Sequence, residues 1–352
     1  MKKKLALALA AVMVLTMALA SCGGNGGSAS SGGAASSGGA ASSGGAASSG
    51  GSESGLSPKD GGSSITFTTG GETGTYYGFG SVIAGKVTDL TSTSVKAISS
   101  GGSAANIQNL QLGDAQLGFS QSDVMVYAYN GERTFTEAVT DFSVVANLYM
   151  EQVQIVTLDP EIKTVADLAG KRVSVGAAGS GVYFNAVDIL GAYGLDVEKD
   201  ITPTYQDFGN STEALKDGQI DAAFVVAGAP TTAVTDLAAG RDVYLVSLDD
   251  EHIDALIESS PYYSKNVIAA DVYGTAEDAT TVAIGAVVIA RDDVSEADVY
   301  NFLYGTFEDI PNLSHGKAAE LDLEFASSIT SIGYHPGAVA YFADKGITVP
   351  GK

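Results

Sequence analysis

Gly70-Gly71-Glu72-Thr73-Gly74-Thr75 follows directly on a segment in which Ile65 and Phe67 alternate with polar residues, as in a half-buried strand. A glycine turn running from a strand into a helix directs backbone N–H groups, and the positive end of the helix dipole, toward one point. That arrangement suits an anion. Thr75 stands in the place of an N-cap for a helix expected over Tyr76–Leu90. A second loop of the same design, Gly176–Gly181, follows "KRVSV" further along the chain. Between the two, "STSVKAIS" leads into Gly101-Gly102-Ser103 and "AQLGFS" into Gln121-Ser122-Asp123.

These loops supply the candidate ligand groups. Gly74, Thr75 and Tyr76 offer N–H groups and a hydroxyl to a carboxylate. Ser103 and Asn106 are three apart at another helix start and donate to the same carboxylate or to a neighbouring head group; the alternative is an N-cap serine with a helix asparagine. Gln121 and Ser122 bring an amide and a hydroxyl to a strand's end, and Asp123 reads as the cap of the helix that follows. Gly179, Ser180, Gly181 and Val182 are the second set of N–H donors. Gly228 and Pro230 shape the cleft wall, and Tyr149 either stacks on the ligand or packs in the core. With Arg133, Arg172, Arg241 and Arg291 the only arginines, and none obviously at a loop of this kind, the anion is expected to be a carboxylate bound without a formal cation.

The elements that must position these groups alternate. Strand-like segments are followed by polar or glycine loops and then by helical patterns, including "DAAFVVAG" into "TTAVTDLAAG". That order predicts an α/β fold with parallel strands covered on both faces, and ligand groups beyond the strands' carboxyl ends. Two glycine-headed units starting two sheets predict two lobes with a cleft between them.

The chain has 352 residues and a formal charge of −23, which argues against nucleic acid as a partner because a polyanion needs a basic face. Lys2–Lys4 followed by the apolar run Leu5–Ala20 reads as a secretory signal, and Leu19-Ala20-Ser21-Cys22-Gly23 as a lipobox. Cys22 is the only cysteine, so no disulfide forms within the chain and lipidation at Cys22 is its expected use. The organisation expected is a signal peptide over 1–21, a lipid anchor and Gly/Ser/Ala tether with recurring "GGAASS" over 22–63, one lobe of 64–150 plus 268–352, and a second of 151–267. The expected localisation is the outer face of the cytoplasmic membrane. His252, His315 and His335 have no metal-ligand spacing, Ser180 is not in a G-x-S-x-G elbow, and the glycine order near it is not G-x-G-x-x-G. No catalytic residue, metal or cofactor is therefore expected, with an enzyme on the same fold kept as a rival class, beside a structural surface protein.

Strung together, "TTGGETGTYYGFG", "SSGGSAANIQNLQLGDAQLGFSQSDVMVYAYNG", "VADLAGKRVSVGAAGSGVYFNAVDIL", "LKDGQIDAAFVVAGAP" and "GYHPGAVAYFADKG" resemble the TAXI solute-binding proteins, the extracytoplasmic receptors of one branch of TRAP transporters. The resemblance covers nearly all of 64–346. It departs at Gly78, where members often have proline after the paired tyrosines, and at Ala104-Ala105, where they often have Val-Glu. It implies a two-lobed type II periplasmic-binding-protein fold closing over a small organic acid such as glutamate or 2-oxoglutarate. It also implies docking on an ion-coupled membrane permease as partner. A substrate-binding protein of an ATP-driven importer shares that fold and is the alternative.

Overall fold

The computed structural model of the protein describes residues 55–352. The expected signal segment, lipidation at Cys22 and most of the expected tether lie outside the described residues. The first lobe opens with strand β1 (Ser64–Thr68), helix α1 (Thr75–Leu90), β2 (Ser94–Ile98), α2 (Ser103–Leu112), β3 (Leu117–Gln121) and α3 (Ser122–Asn130). A long strand, β4 (Phe142–Thr157), then leads to β5 (Arg172–Ser174), α4 (Val182–Ala192), β6 (Thr202–Thr204), α5 (Phe208–Lys216) and β7 (Ala222–Ala227). Next come α6 (Thr232–Ala238), β8 (Tyr244–Leu245), α7 (Asp250–Ser259) and β9 (Ser264–Ile268). A second long strand, β10 (Ala279–Arg291), returns to α8 (Glu296–Phe307), α9 (Leu323–Ala326) and α10 (Pro336–Asp344).

The fold is α/β, as the alternation predicts. The strands lie in the order β2-β1-β3-β10-β4-β7-β5-β6, with β8 on β4 and β9 on β10. β1, β2 and β3 are parallel, as are β5, β6 and β7, while β4 and β10 run antiparallel to their neighbours. β4 and β10 pair with each other from Phe142–Arg291 to Gln152–Ala283, and so tie the two halves together. Both are buried along nearly their whole length, as strands covered on both faces must be.

The hydrophobic cores divide along these strands. Residues up to Tyr149 and from Ala286 onward share one cluster with Phe67, Phe79 and Phe302. Apart from Phe184, which joins the first cluster, the buried apolar residues from Val153 to Ile284 form two others, built on Phe224 and on Val225. Ile268, Tyr273, Ala279, Val282 and Ile284 pack in the latter two. The chain therefore crosses back along β10 and not near Val267, where a crossing was expected. β9 is an edge strand of the second lobe, and a sequence pattern alone does not distinguish such a strand from a crossing one. The expected tether boundary also shifts. Lys59 N–H donates to Asn301 Oδ1 (2.7 Å) and Ser63 N–H to Asp298 Oδ1 (2.8 Å), so the chain is already held against α8 before β1 begins.

Helix α1 buries Phe79, Ile83 and Val87, one turn apart, and lies against α8, which in turn packs on α10. The α1–α8 approach depends on Gly305: a Cβ there would stand 2.6 Å from Val87 Cα. Gly305→Val should push the helices apart at a cost of about 1–3 kcal/mol and lower the urea midpoint. A midpoint equal to that of the unsubstituted protein would show that this close approach is not structurally required.

Candidate ligand-binding site

The starts of α1, α2, α4 and α5 open onto one cavity between the lobes, of about 60 Å³. A single water needs roughly 10–15 Å³, so the closed cavity admits only a small molecule. From the first lobe its wall takes Gly70, Gly74–Tyr76, Ser100–Ser103, Gln121 and Glu151; from the second, Ser180–Val182, Asp207–Phe208 and Val226–Ala227. The N-cap residues of α1, α2 and α4 are Gly74, Gly102 and Gly181, and none has a side-chain cap bond. Glycine caps leave for whatever enters the cavity only those first-turn N–H groups without an acceptor; Ala105 N–H of α2 already donates to Gly179 O and Phe184 N–H of α4 to Gly181 O, both at 3.0 Å. At α5, by contrast, Asp207 caps its own helix through Asn210 N–H (2.9 Å).

Bonds across the cleft show the lobes closed on one another. Thr75 Oγ1 donates to Gly228 O (2.8 Å), Ala233 N–H to Thr73 O (3.1 Å), and Ala105 N–H to Gly179 O (3.0 Å). Thr75 is thus not the N-cap of α1, as the sequence pattern suggested, but its first helical residue, with its hydroxyl used to bridge the lobes. Asp123 is likewise not a cap. It is the second residue of α3, buried, with Oδ1 accepting Val124 N–H (2.6 Å) and Oδ2 facing Asn185 Nδ2 (3.4 Å).

Of the residues expected at the site, Gly74, Thr75, Tyr76, Ser103, Gln121, Ser180, Gly181 and Val182 line the cavity together. Asn106, Ser122, Tyr149, Gly179, Gly228 and Pro230 do not. Asn106 has no capacity left for a ligand. Its Oδ1 accepts from Thr68 and Ser100 hydroxyls, and its Nδ2 donates to Thr69 O and Phe119 O. Tyr149 is buried edge-on to Phe79 and Phe119, which is its packing alternative. The carbonyls of Gly179 and Gly228 serve closure, as above, and Ser122 is buried in the first turn of α3.

Sequence reasoning missed Glu151. Its carboxylate Oε2 accepts from Tyr76 O–H at 2.7 Å, and Tyr76 stacks on Phe119 with ring centroids 4.5 Å apart. Burial pushes the Glu151 carboxyl well above the usual carboxylate range, against the opposing pull of the Tyr76 bond and of Lys317. Burial, and then Glu151, push the Tyr76 phenol up as well. A signal was present: Glu151 is the only charged residue in the sixteen residues of the buried strand β4. Lys317 was also missed. It is 3% exposed, pairs with Glu320, and sits against Gly228, where a Cβ would lie 2.4 Å from Lys317 Cε. It stands behind the wall, and no arginine or lysine among the described residues lines the cavity.

The sequence profile of the NMT1-like family matches residues 67–346. The chain belongs to the NMT1-like family. Among solved structures, this NMT1-like chain is similar to malate-bound MatC from Rhodopseudomonas palustris, at 12% identity over 73% of this chain and 86% of that one, with a TM-score of 0.49. It is similar to the ligand-binding component of an ABC-type import system from Staphylococcus aureus, at 9% identity, 81% and 92% coverage and a TM-score of 0.48. It is also similar to the MOPS-bound alkanesulfonate-binding protein SsuA from Xanthomonas axonopodis pv. citri, at 14% identity, 80% and 83% coverage and a TM-score of 0.44. No helix among the described residues is long and apolar enough to cross a membrane.

Beside the cavity, burial raises the Asp123 carboxyl from 3.8 to about 7, with Asp188 adding to the rise and Arg133 opposing it. Below about pH 4 this group is protonated in folded and unfolded chains alike. As pH rises toward 7, only the unfolded chain releases the proton, so folded stability falls across that window by something on the order of 4 kcal/mol. Asp123→Asn removes the penalty. Its urea midpoint relative to the unsubstituted protein should rise between pH 5 and pH 8, whereas a constant difference would place the carboxyl in water.

Proposed function

We propose that this NMT1-like protein is an extracytoplasmic solute-binding lipoprotein of a TAXI-type TRAP transporter. On this reading it captures a small organic acid, of the glutamate or 2-oxoglutarate kind, and delivers it to an ion-coupled permease. The observation that carries the reading is the convergence of glycine-capped helix starts from both lobes on one cavity. Three positive dipole ends and their first-turn N–H groups form a charge-compatible receptor for a carboxylate without a cation in the wall. The buried Glu151–Tyr76 pair, which lines the same cavity, offers polar contacts to a second functional group of the ligand. The lipid on Cys22 and the low-complexity segment after it hold the receptor at the membrane where the permease lies.

In the mechanism that follows, ligand first meets the lobe carrying Thr75 and Ser103. The lobe carrying Ser180 then swings in on β4 and β10. Closure is favoured by bonds made only in the closed form, Thr75 to Gly228 and Ala105 to Gly179 among them. The reading is of binding and not of catalysis: no histidine or cysteine among the described residues lines the cavity.

A thermal-shift panel on protein unfolded and refolded to strip carried-over ligand tests this directly. At about 1,000 times its Kd, a bound acid adds about 4 kcal/mol to stability, a shift of several degrees. A four- or five-carbon dicarboxylate should give it, while sugars should not. Ser180→Trp, which fills the closed cavity, should abolish the shift with circular dichroism unchanged. An unsubstituted protein that refolds but responds to no carboxylate would end the proposal.

A further inference from the structure

A chain of hydrogen bonds runs from the far edge of the cleft into the cavity, and each link dictates the next. Arg133, in the first lobe and held at φ 58°, pairs through Nη2 with Asp188 Oδ1 of α4 at 2.8 Å. Asp188 Oδ2 accepts the Tyr263 hydroxyl proton at 3.2 Å. With its proton so committed, the Tyr263 oxygen is the acceptor for Asn185 Nδ2 at 2.8 Å. Asn185 is therefore oriented with Oδ1 toward the first lobe, where it accepts from Gln121 Nε2 at 3.0 Å. The Gln121 amide is left with its carbonyl turned the other way.

That carbonyl is the unusual group. Gln121 is 2% exposed, lines the cavity, and its Oε1 has no donor among the described residues. Ser180 Oγ, 7% exposed and also in the wall, has none either. A Cβ on Gly181 would fall 1.9 Å from Gln121 Oε1 and 3.1 Å from Ser103 Oγ, so the bare acceptor sits between the first turns of α2 and α4. It is therefore next to the N–H groups that would hold a carboxylate. A buried acceptor without a donor is unfavourable, and a ligand that brings a donor removes the penalty.

We infer that Asn185 is a specificity-determining positioning residue. It holds the Gln121 amide so that the closed cavity presents an acceptor, and the site selects an acid whose carbon next to the carboxylate carries a hydrogen-bond donor, an ammonium or a hydroxyl, over the 2-oxo acid. The inference rests on the carboxylate reading above. A 2-oxo group at that place is itself an acceptor, and the relay prevents Gln121 from turning its NH2 to meet it. Because Asn185 and Gln121 come from different lobes, the selection is made on closure.

Titration calorimetry with the full chain in detergent tests this, using two matched series. One is L-glutamate, 2-hydroxyglutarate and 2-oxoglutarate, and the other is L-aspartate, malate and oxaloacetate. In the series that fits, a donor-bearing acid should bind about tenfold or more tighter than its 2-oxo partner, as a site built around one hydrogen bond discriminates. The amino and hydroxy arms identify which donor is used. Asn185→Leu, which frees the Gln121 amide, should shrink that ratio to about twofold or less. Gln121→Met, of similar length without the acceptor, should do the same and covers the case in which Asn185→Leu does not fold. A 2-oxo acid bound as tightly as its donor-bearing partners overturns the inference while leaving the carboxylate reading intact. So does a ratio that survives both substitutions. Binding of no acid in either series removes that reading and the inference with it.

Discussion

Strand β4 belongs to both lobes. Its first half lies in the core with Phe67 and Phe302, and its second half with Phe224. Pairing with β10 over most of its length makes the connection between lobes a two-stranded ribbon. A ribbon of this kind resists stretching and shear because its ladder bonds are perpendicular to the strands, yet it permits bend and twist where neighbouring strands end. The lobes can therefore keep separate cores and still return to one closed register. Everything at the cleft depends on that register, since the bonds that cross it are single contacts between loops and helix starts.

The cavity solves an electrostatic problem with backbone. The molecule as a whole is acidic, and no arginine or lysine among the described residues faces the site. Helix starts capped by glycine supply the favourable potential locally, over a distance short enough that the net charge of the molecule does not cancel it. Glycine also lets the opposite wall approach: at Gly181 a side chain would occupy the space of the Gln121 carbonyl. The arrangement favours small ligands, because the cavity between the helix starts is only about 60 Å³.

Several buried polar side chains stand in or beside the cavity wall. Asn106 is saturated and structural, and the same is true of the Thr68–Asn109 contact beside it. Glu151, Gln121 and Ser180 are different. Glu151 is buried with its ordinary acidity suppressed, and the other two hold oxygens without donors. Uncompensated polarity of this kind is tolerated where a ligand completes it. Buried oxygens without donors are not confined to the site, since Asn147 Oδ1 and Tyr149 O–H lack partners as well; what marks Gln121 and Ser180 is that they also stand in the cavity wall.

Much of the local structure was legible along the chain. Alternation at Ile65 and Phe67, the glycine turns and the apolar helix faces are short-range consequences of side-chain period and of φ freedom at glycine, and these predict α/β architecture and the loops that form the wall. Eight of the fourteen expected ligand residues line the cavity, all of them at glycine turns or strand ends. What a sequence window could not hold was partnership between distant residues. Asn106 is spent on Thr68 and Phe119, Thr75 reaches Gly228 across the cleft, and Asp123 loses its cap role to burial beside Asp188. The return along β10 was hidden for the same reason, since edge and crossing strands share a pattern. Residue type and spacing determined the elements and the chemistry available at their ends. Only the closed tertiary structure decided which of those groups were already satisfied, because a hydrogen bond between residues far apart in the chain leaves no period in the sequence.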